Sequence, residues 1–563
     1  MRHFYDLIAP VAVLVTVTFL PLGPLFFPRF YLLFLLTYFS LFFYASCTHF
    51  YKLFITTRNI KRNIRQWNEI NRREGTANAA TSATPASPTP TRVSFAYDDQ
   101  QLESALKPFD ENQYVHAFII PNYSEPEALL RDTIKRLAAH RNAQSNYVII
   151  LAMEASEANH APKAASLREQ FKDAFLHFIT TVHPVGLPGE ARGKGSNVAY
   201  AARIGCNEIV ARGVDKRRIV ITVSDSDSAI PELYVFHVEK ALNEAEDPAN
   251  TLCAPPIFFA RNAMEVPAVV RVTDIFWSIM VMQNLSNNLG MSFPCSTYSV
   301  PLTLAERVGY WDVDADAIGE DLHMWLKCFF KTSGIARSVP IYVPINLTNV
   351  QTPGFISNLY ARYVQAKRHY SGVADLGYAF RHACENVVKG RKKEDESILP
   401  TQQGEVCPRY WLDKWMVCLR MLEAHIIPST SGWLMFAAVP LTQLLLFPPD
   451  PLLAYISSPV NPTLTSAFFA SVWQSVKIIG LVLPLPSIGM IILYERLHRA
   501  VERDLFQHSK QESRGIRNLI DYVWLPVSAM LFMTIPSSLA ALGRLVKAET
   551  KYHVAEKVFN ESD

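Results

Sequence analysis

Asp225 and Asp227 stand one residue apart in Val223-Ser-Asp-Ser-Asp227, where an apolar run over 218–223 ends. Two carboxylates spaced in this way at the close of a strand can grip a divalent cation together with the oxygens of a diphosphate. Further along, Gly319-Glu-Asp321 sets Glu320 and Asp321 at the opening of a helical pattern, Leu322-His-Met-Trp-Leu. An acid in that place can take a proton from an attacking hydroxyl. Each motif alone also fits a plainer role, the first as a turn and the second as negative charge favoured at a helix N-terminus. Together they supply the two halves of a transfer at a diphosphate: charge neutralisation on one side and proton removal on the other.

The surrounding pattern says how such residues would be positioned. Apolar runs fall at 114–120, 147–151, 218–223 and 252–259, with helical patterns at 125–140 and 196–212 between the first three. Strands alternating with helices predict βαβ units and a mainly parallel sheet. Open sheets of this kind bind ligands beyond the carboxyl ends of their strands. Those ends carry Pro121-Asn-Tyr-Ser-Glu-Pro126, Met153-Glu154 and the aspartate pair, while Gly193-Lys-Gly-Ser-Asn197 opens a helix. These four loops are expected to converge on one edge of the sheet.

Composition adds a membrane. Of 563 residues 49% are apolar and only 19% charged, low for a soluble chain. The apolar stretches 7–27 and 30–50 are separated by the Pro-rich gap holding Arg29, and each has the roughly 20 residues a bilayer crossing needs. No clear small-residue cleavage site precedes the second stretch, which argues for two spans over a cleaved leader. Lys52, Arg58, Lys61, Arg62, Arg65, Arg72 and Arg73 follow at once, and such an excess marks the cytoplasmic side. The net charge of +3 is too small to suggest a nucleic-acid partner. Eight dispersed cysteines show no CxxC pair or zinc spacing, as expected in a reducing compartment.

Residues 75–92 read as an Ala/Thr/Ser/Pro linker. Near the C-terminus, 411–427 has the mixed pattern of a helix lying at the membrane interface, and 432–447, 466–493 and 522–542 are spanning candidates. The basic residues Arg496 to Arg517 put the loop before the last of these in the cytoplasm. The C-terminus then falls outside, against the charge of Arg544 and Lys547, a conflict that a re-entrant last segment would remove. The sequon at Asn560 would report an external tail.

In their order and with these flanks, the motifs resemble those of the family 2 glycosyltransferases. Among them they resemble the membrane-integrated polysaccharide synthases related to cellulose, chitin and hyaluronan synthases. The resemblance covers roughly residues 112–375 and the flanking spans. It implies an α/β fold in which a GT-A domain, nucleotide-sugar-binding and built on a mainly parallel sheet, is inserted between transmembrane helices. Tyr123 and Glu125 would contact nucleobase and ribose, and Glu154 would face the base. Lys194 would lie near the diphosphate. Asp227 would hold Mg²⁺ or Mn²⁺, with Asp225 on metal or ribose. Glu320 and Asp321 would form the catalytic acidic pair, Asp321 being the base. Gln365-Ala-Lys-Arg368-His369 is similar to the QxxRW element of processive members, and Gln365 and Arg368 would reach the donor. Two positions depart from the family: Gly319 stands where threonine is more usual, and His369 where tryptophan is. A histidine ring can still pack flat against a sugar.

The layout implied is two transmembrane helices (1–54), a basic juxtamembrane segment and linker (55–109), and a cytoplasmic GT-A domain (110–375). A gating-loop-like and interfacial region (376–430), about three membrane segments (431–547) and a tail (548–563) follow. The expected activity is inverting transfer from a nucleotide sugar, with a UDP-sugar implied, onto a β-linked polysaccharide, in the plasma membrane or a Golgi or ER membrane. Transfer of one sugar to a lipid or protein acceptor, or an inactive scaffold for another synthase, are the alternatives. The partners expected are the nucleotide sugar, the carbohydrate acceptor and the bilayer. Trp311 either stacks on the acceptor or fills the core, the Cys295-Ser-Thr-Tyr298 turn is a candidate wall of the acceptor channel, and His323 reads as structural.

Overall fold

A computed structural model describes residues 4–82, 114–286, 290–314, 316–317, 319–388, 407–447, 466–506 and 516–546. Its strands are β1 (Val115–Pro121), β2 (Tyr147–Glu154), β3 (His177–His183), β4 (Ile219–Val223), β5 (Thr251–Ala254), β6 (Ile257–Phe258), β7 (Tyr298–Pro301), β8 (Arg337–Pro340) and β9 (Ile345–Asn346). Seven form one sheet in the order β3-β2-β1-β4-β7-β5-β8. β1, β2, β3 and β4 pair in parallel, β8 is parallel to β5, and β7 runs antiparallel between β4 and β5. Every residue of β1, β2 and β4 is buried, which is why these strands read as unbroken apolar runs.

The expected run 252–259 is two strands rather than one. Pro255 and Pro256 interrupt it, because proline lacks the N–H a ladder needs. β5 stays in the main sheet, while β6 pairs with β9 in a small second one. Strands β3 and β7 went unread because they are short or only half apolar. Helices Glu127–Ala138 and Lys194–Ala211 fill the connections after β1 and β3. The carboxyl ends of β1, β2 and β4 therefore share an edge, with β1 at the point where the chain switches direction across the sheet.

Among the described residues, five helical segments are long and apolar enough to cross a membrane: Phe4–Phe26, Pro28–Arg73, Tyr410–Leu446, Ala467–Phe506 and Asn518–Val546. The second belongs to a helix, Pro28–Ser82, of 55 residues, about 80 Å at 1.5 Å per residue. Its later part buries Leu53, Ile60, Ile64, Trp67 and Ile70, a three-to-four spacing that lays one stripe on the catalytic domain. Thr56 donates to the Met282 carbonyl at 2.9 Å and Asn63 to that of Tyr342 at 3.2 Å along the same stripe. The helix continues through the first residues of the expected linker, where alanine favours it; the linker's remainder lies outside the described residues.

Residues 411–427 are not a separate interfacial helix. They form the first part of one helix, Tyr410–Leu446, whose polar side faces the catalytic domain. Asp413 pairs with Arg337 at 2.9 Å, and the Lys414 ammonium donates to the Ala383 carbonyl at 3.0 Å. One side of the amphipathic pattern therefore packs on protein, while Trp411, Leu412 and Leu419 on the helix are exposed.

The last segment meets the catalytic domain along its length. Asp521 pairs with Arg271 at 3.0 Å, both nearly buried, and the Ser528 hydroxyl donates to the Val269 carbonyl at 2.7 Å. Phe532 packs with Val266, Val270, Ala366 and Tyr370. At the far end Arg544 pairs with Asp316 at 2.7 Å and with Asp6 at 3.5 Å. A helix pinned to one domain at both ends does not need to deliver its ends to opposite sides of a bilayer. The sequon at Asn560 lies outside the described residues. A cysteine replacing Val546, which is exposed, is therefore expected to react with a membrane-impermeant maleimide in the same sealed-vesicle preparations as one replacing Glu169 on the catalytic domain. Labelling in opposite preparations would establish a crossing.

Candidate active site

One cavity of about 240 Å³ opens at the shared strand edge. Every site residue expected from the sequence lines it except Trp311. Tyr123 and Glu125 come from the loop after β1, Glu154 from the end of β2, Lys194 from the start of helix Lys194–Ala211, and Asp225 and Asp227 from the loop after β4. Glu320 and Asp321 open helix Glu320–Lys331, and Gln365 and Arg368 project from helix Phe355–Tyr370.

The acidic motifs meet through two residues. The Lys194 ammonium lies 2.7 Å from Asp225 Oδ1 and 2.6 Å from Glu320 Oε1. Burial works against its charge, but the two carboxylates outweigh burial and hold Lys194 well above the usual lysine range. Burial pushes Glu320 up to about 7, with Lys194 opposing and the Asp321 and Asp225 charges adding to the rise. The second tie is Ser296. Its backbone N–H donates to Asp321 Oδ2 at 2.7 Å and its hydroxyl to Asp225 Oδ2 at 2.6 Å. Ser296 has φ +64, in the left-handed region that costs a non-glycine residue about 1–3 kcal/mol. That conformation points N–H and hydroxyl at two carboxylates from distant segments.

Asp321 also accepts from the Leu322 N–H at 2.8 Å through Oδ1, so its orientation is set at both oxygens. Asp227 is buried and accepts through Oδ2 from the Thr348 N–H at 3.0 Å and from the Thr348 hydroxyl. The Arg261 guanidinium donates to the Asp227 carbonyl at 2.5 Å. Both aspartates of the pair offer hard oxygen donors. No group of three or more His, Cys, Asp or Glu side chains able to hold a metal occurs among the described residues. Two carboxylates completed by diphosphate oxygens and water suit a Mg²⁺-like ion, so the residues present fit a cation that arrives with its substrate.

Also lining the cavity, Arg192 stacks on Tyr123, 4.8 Å from the ring centre, and donates to its hydroxyl. Glu125 Oε2 accepts from the N–H groups of Tyr123 and Ser124 at 2.9 and 3.2 Å, so this carboxylate also shapes its own loop. Burial raises the Glu154 pKa, while His183, 3.2 Å away, lowers it.

Trp311 is the correction. It is 2% exposed, its indole N–H donates to the Tyr298 hydroxyl at 2.5 Å, and it belongs to the core beneath the sheet. No face of it is available to a sugar. The aromatic residue that does line the cavity is Trp277, from helix Ala268–Leu285. It went unread because an apolar helix carries no motif around it. Arg192 and Thr348 also went unread; only the position of Arg192 beside Lys194 gave a signal.

Behind the acidic pair, His323 is buried between Asp375, 2.5 Å from Nδ1, and Asp312, 3.0 Å from Nε2. It does not reach the cavity. Asp312 also pairs with Lys327 at 2.6 Å.

Residues 220–479 match the family described as Glycosyl transferase family group 2, a little under half of the 563-residue chain. The chain is a glycosyltransferase, family-2-like in its catalytic region. No curated protein matches it. Among solved structures, the mannosyltransferase PcManGT from Pyrobaculum calidifontis, in complex with GDP-Man and Mn²⁺, is 12% identical. The alignment covers 70% of this chain and 92% of that one, at a TM-score of 0.36. Glucosyl-3-phosphoglycerate synthase from Mycobacterium tuberculosis, with Mn²⁺, UDP and phosphoglyceric acid, is 14% identical over 48% of this chain and 82% of its own, at a TM-score of 0.28. S. aureus TarS 1-349 in complex with UDP is 9% identical over 71% and 94%, at a TM-score of 0.33.

Two outcomes follow from this geometry. Replacing Ser296 by alanine removes a hydrogen bond to a charged group, worth about 1.5–3 kcal/mol. Turnover by the S296A variant is therefore expected to fall about 10- to 100-fold, with its melting temperature lowered by a few degrees; unaltered turnover would deny Ser296 this role. The second concerns pH. Asp375 and Asp312 outweigh burial and hold His323 up at about 10, against its ordinary 6.5. A raised pKa gives stability that is full below pH 6.5 and lost as pH climbs toward 10. The melting temperature should decline across that window in the wild type and more shallowly in H323Q.

Proposed function

We propose that this glycosyltransferase is an inverting enzyme embedded in a membrane, extending a β-linked polysaccharide from a nucleoside diphosphate sugar, with UDP as the carrier. The observation that carries the reading is Ser296 joining Asp225 to Asp321 inside one cavity. A diphosphate gains negative charge as the glycosidic bond breaks. On this reading Lys194 and Arg368 supply fixed positive charge to the leaving group, where loss of one such group commonly costs about 100- to 1000-fold in rate. Asp225 and Asp227 would hold a divalent cation, Mg²⁺ or Mn²⁺, which would neutralise the diphosphate.

Asp321, held by the Ser296 and Leu322 N–H groups, takes the proton from the acceptor hydroxyl as it attacks the anomeric carbon opposite the leaving group. Attack from that side turns an α-linked donor into a β-linked product. Glu320 serves as the counter-charge of Lys194 rather than as a second base. Tyr123 and Arg192 offer a flat cationic surface to the nucleobase, and Glu154 a hydrogen-bonding edge. The basic residues that follow the first two apolar helices support a cytoplasmic catalytic domain, on the side where nucleotide sugars are available. The resident membrane is then the plasma membrane or one of the ER or Golgi.

His369 favours a second reading, transfer of a single sugar to a lipid or protein, since it stands where processive relatives carry tryptophan. Radiolabelled donor given to the purified enzyme separates the two: products longer by many sugars support the first reading, and products longer by one reject it. The D321N variant is expected to lose about 100- to 10,000-fold in transfer while keeping donor affinity. Full activity in that variant would remove Asp321 as the base.

A further inference from the structure

Besides Tyr123, Arg192 and Lys194, the cavity is lined by Trp277, Gln365, Arg368 and His369, which come from two neighbouring helices. Of nine tryptophans in the chain, Trp277 alone lines this cavity. It is half-buried, and its ring is fixed on several sides. The His369 ring lies 5.5 Å away at 40°, and Tyr370 meets it edge-on at 5.9 Å. Cys295 lines the same cavity and directly precedes Ser296, whose N–H holds Asp321.

The two helices carrying this wall are locked to each other. Asp274, one turn before Trp277, pairs with Arg362 at 2.8 Å with both side chains buried, and Arg362 donates to Gln365 at 2.9 Å. Val269 and Val270 from one helix and Ala366 and Tyr370 from the other share an apolar cluster with Phe532 of the last membrane-type segment. An indole held in this way is preorganised, so little side-chain entropy is lost when a ligand stacks on it.

Resting on the transferase reading above, we propose that Trp277 is the platform for the acceptor sugar, presenting its hydroxyl to Asp321. The C–H face of an equatorially substituted pyranose is apolar and weakly positive, which suits the negative face of an indole. A β-linked sugar has such a face. His369 backs the indole instead of replacing it, so the aromatic surface absent from position 369 is supplied from another helix.

The test separates acceptor use from donor chemistry. Membranes containing the full-length wild type, W277A or W277F receive a radiolabelled nucleotide sugar with Mg²⁺. Released nucleotide and label transferred into any product are measured together, and the melting temperature of each purified protein is recorded. W277A is expected to lower transferred label about 10-fold relative to released nucleotide, with label accumulating as free sugar, and W277F to restore most of the coupling. Unchanged coupling in W277A, or equal loss of release and transfer in both variants, would overturn the platform. If the wild type releases no nucleotide from any UDP- or GDP-sugar, the transferase reading fails, and the platform with it.

Discussion

Four carboxylates, those of Asp225, Asp227, Glu320 and Asp321, line one small cavity, and their mutual repulsion is the constraint around which the rest of the domain is arranged. Each is offset by a specific group. Lys194 lies between Asp225 and Glu320, the Thr348 N–H and hydroxyl face Asp227, and the Ser296 and Leu322 N–H groups face Asp321. The helix that begins at Glu320 adds its own positive end. Without these groups the acids would protonate or separate. With them the cavity is poised for a substrate that carries negative charge of its own and for a cation to accompany it.

The same arrangement explains why the site draws on so many segments. A parallel sheet brings the ends of β1, β2 and β4 to one edge, but no strand end alone supplies both cation grip and base. The antiparallel β7 supplies the missing connection. It returns the chain beside β4, with Thr222 paired to Ser299 and Val223 to Tyr298, which sets the Cys295–Thr297 turn over the aspartate pair. The strained φ of Ser296 follows from that approach and is sustained by the two hydrogen bonds it makes possible.

The catalytic domain and the apolar helices are joined by more than chain connections. Helix Pro28–Ser82 lays a buried stripe on the domain, helix Tyr410–Leu446 starts inside it, and the last segment runs along it from Arg271 to Asp316. Buried ion pairs at such contacts contribute modestly to stability but penalise other arrangements strongly, because a separated partner would remain buried and charged. The two helices that carry Trp277 and Gln365 into the cavity share an apolar cluster with Phe532 of that last segment, so the cavity wall packs directly on a membrane-type helix.

Local pattern along the chain was enough to read the chemical inventory: which acids, which lysine, which loops, and the alternation that makes a mainly parallel sheet. These were legible because each depends on neighbours within a few residues, such as an apolar run ending in Ser-Asp-Ser-Asp or a glycine-flanked lysine opening a helix. Tertiary structure alone decided which aromatic faces the cavity. Trp311 stands beside Asp312 in a charged stretch and Trp277 within an apolar helix, yet the first is sealed under Tyr298 and the second lines the cavity beside His369. It also decided that Ser296 joins two acidic motifs and that the last apolar segment lies against the catalytic domain at both ends. Each of those outcomes depends on partners tens to hundreds of residues apart, and a local pattern holds no record of which distant surface it will meet.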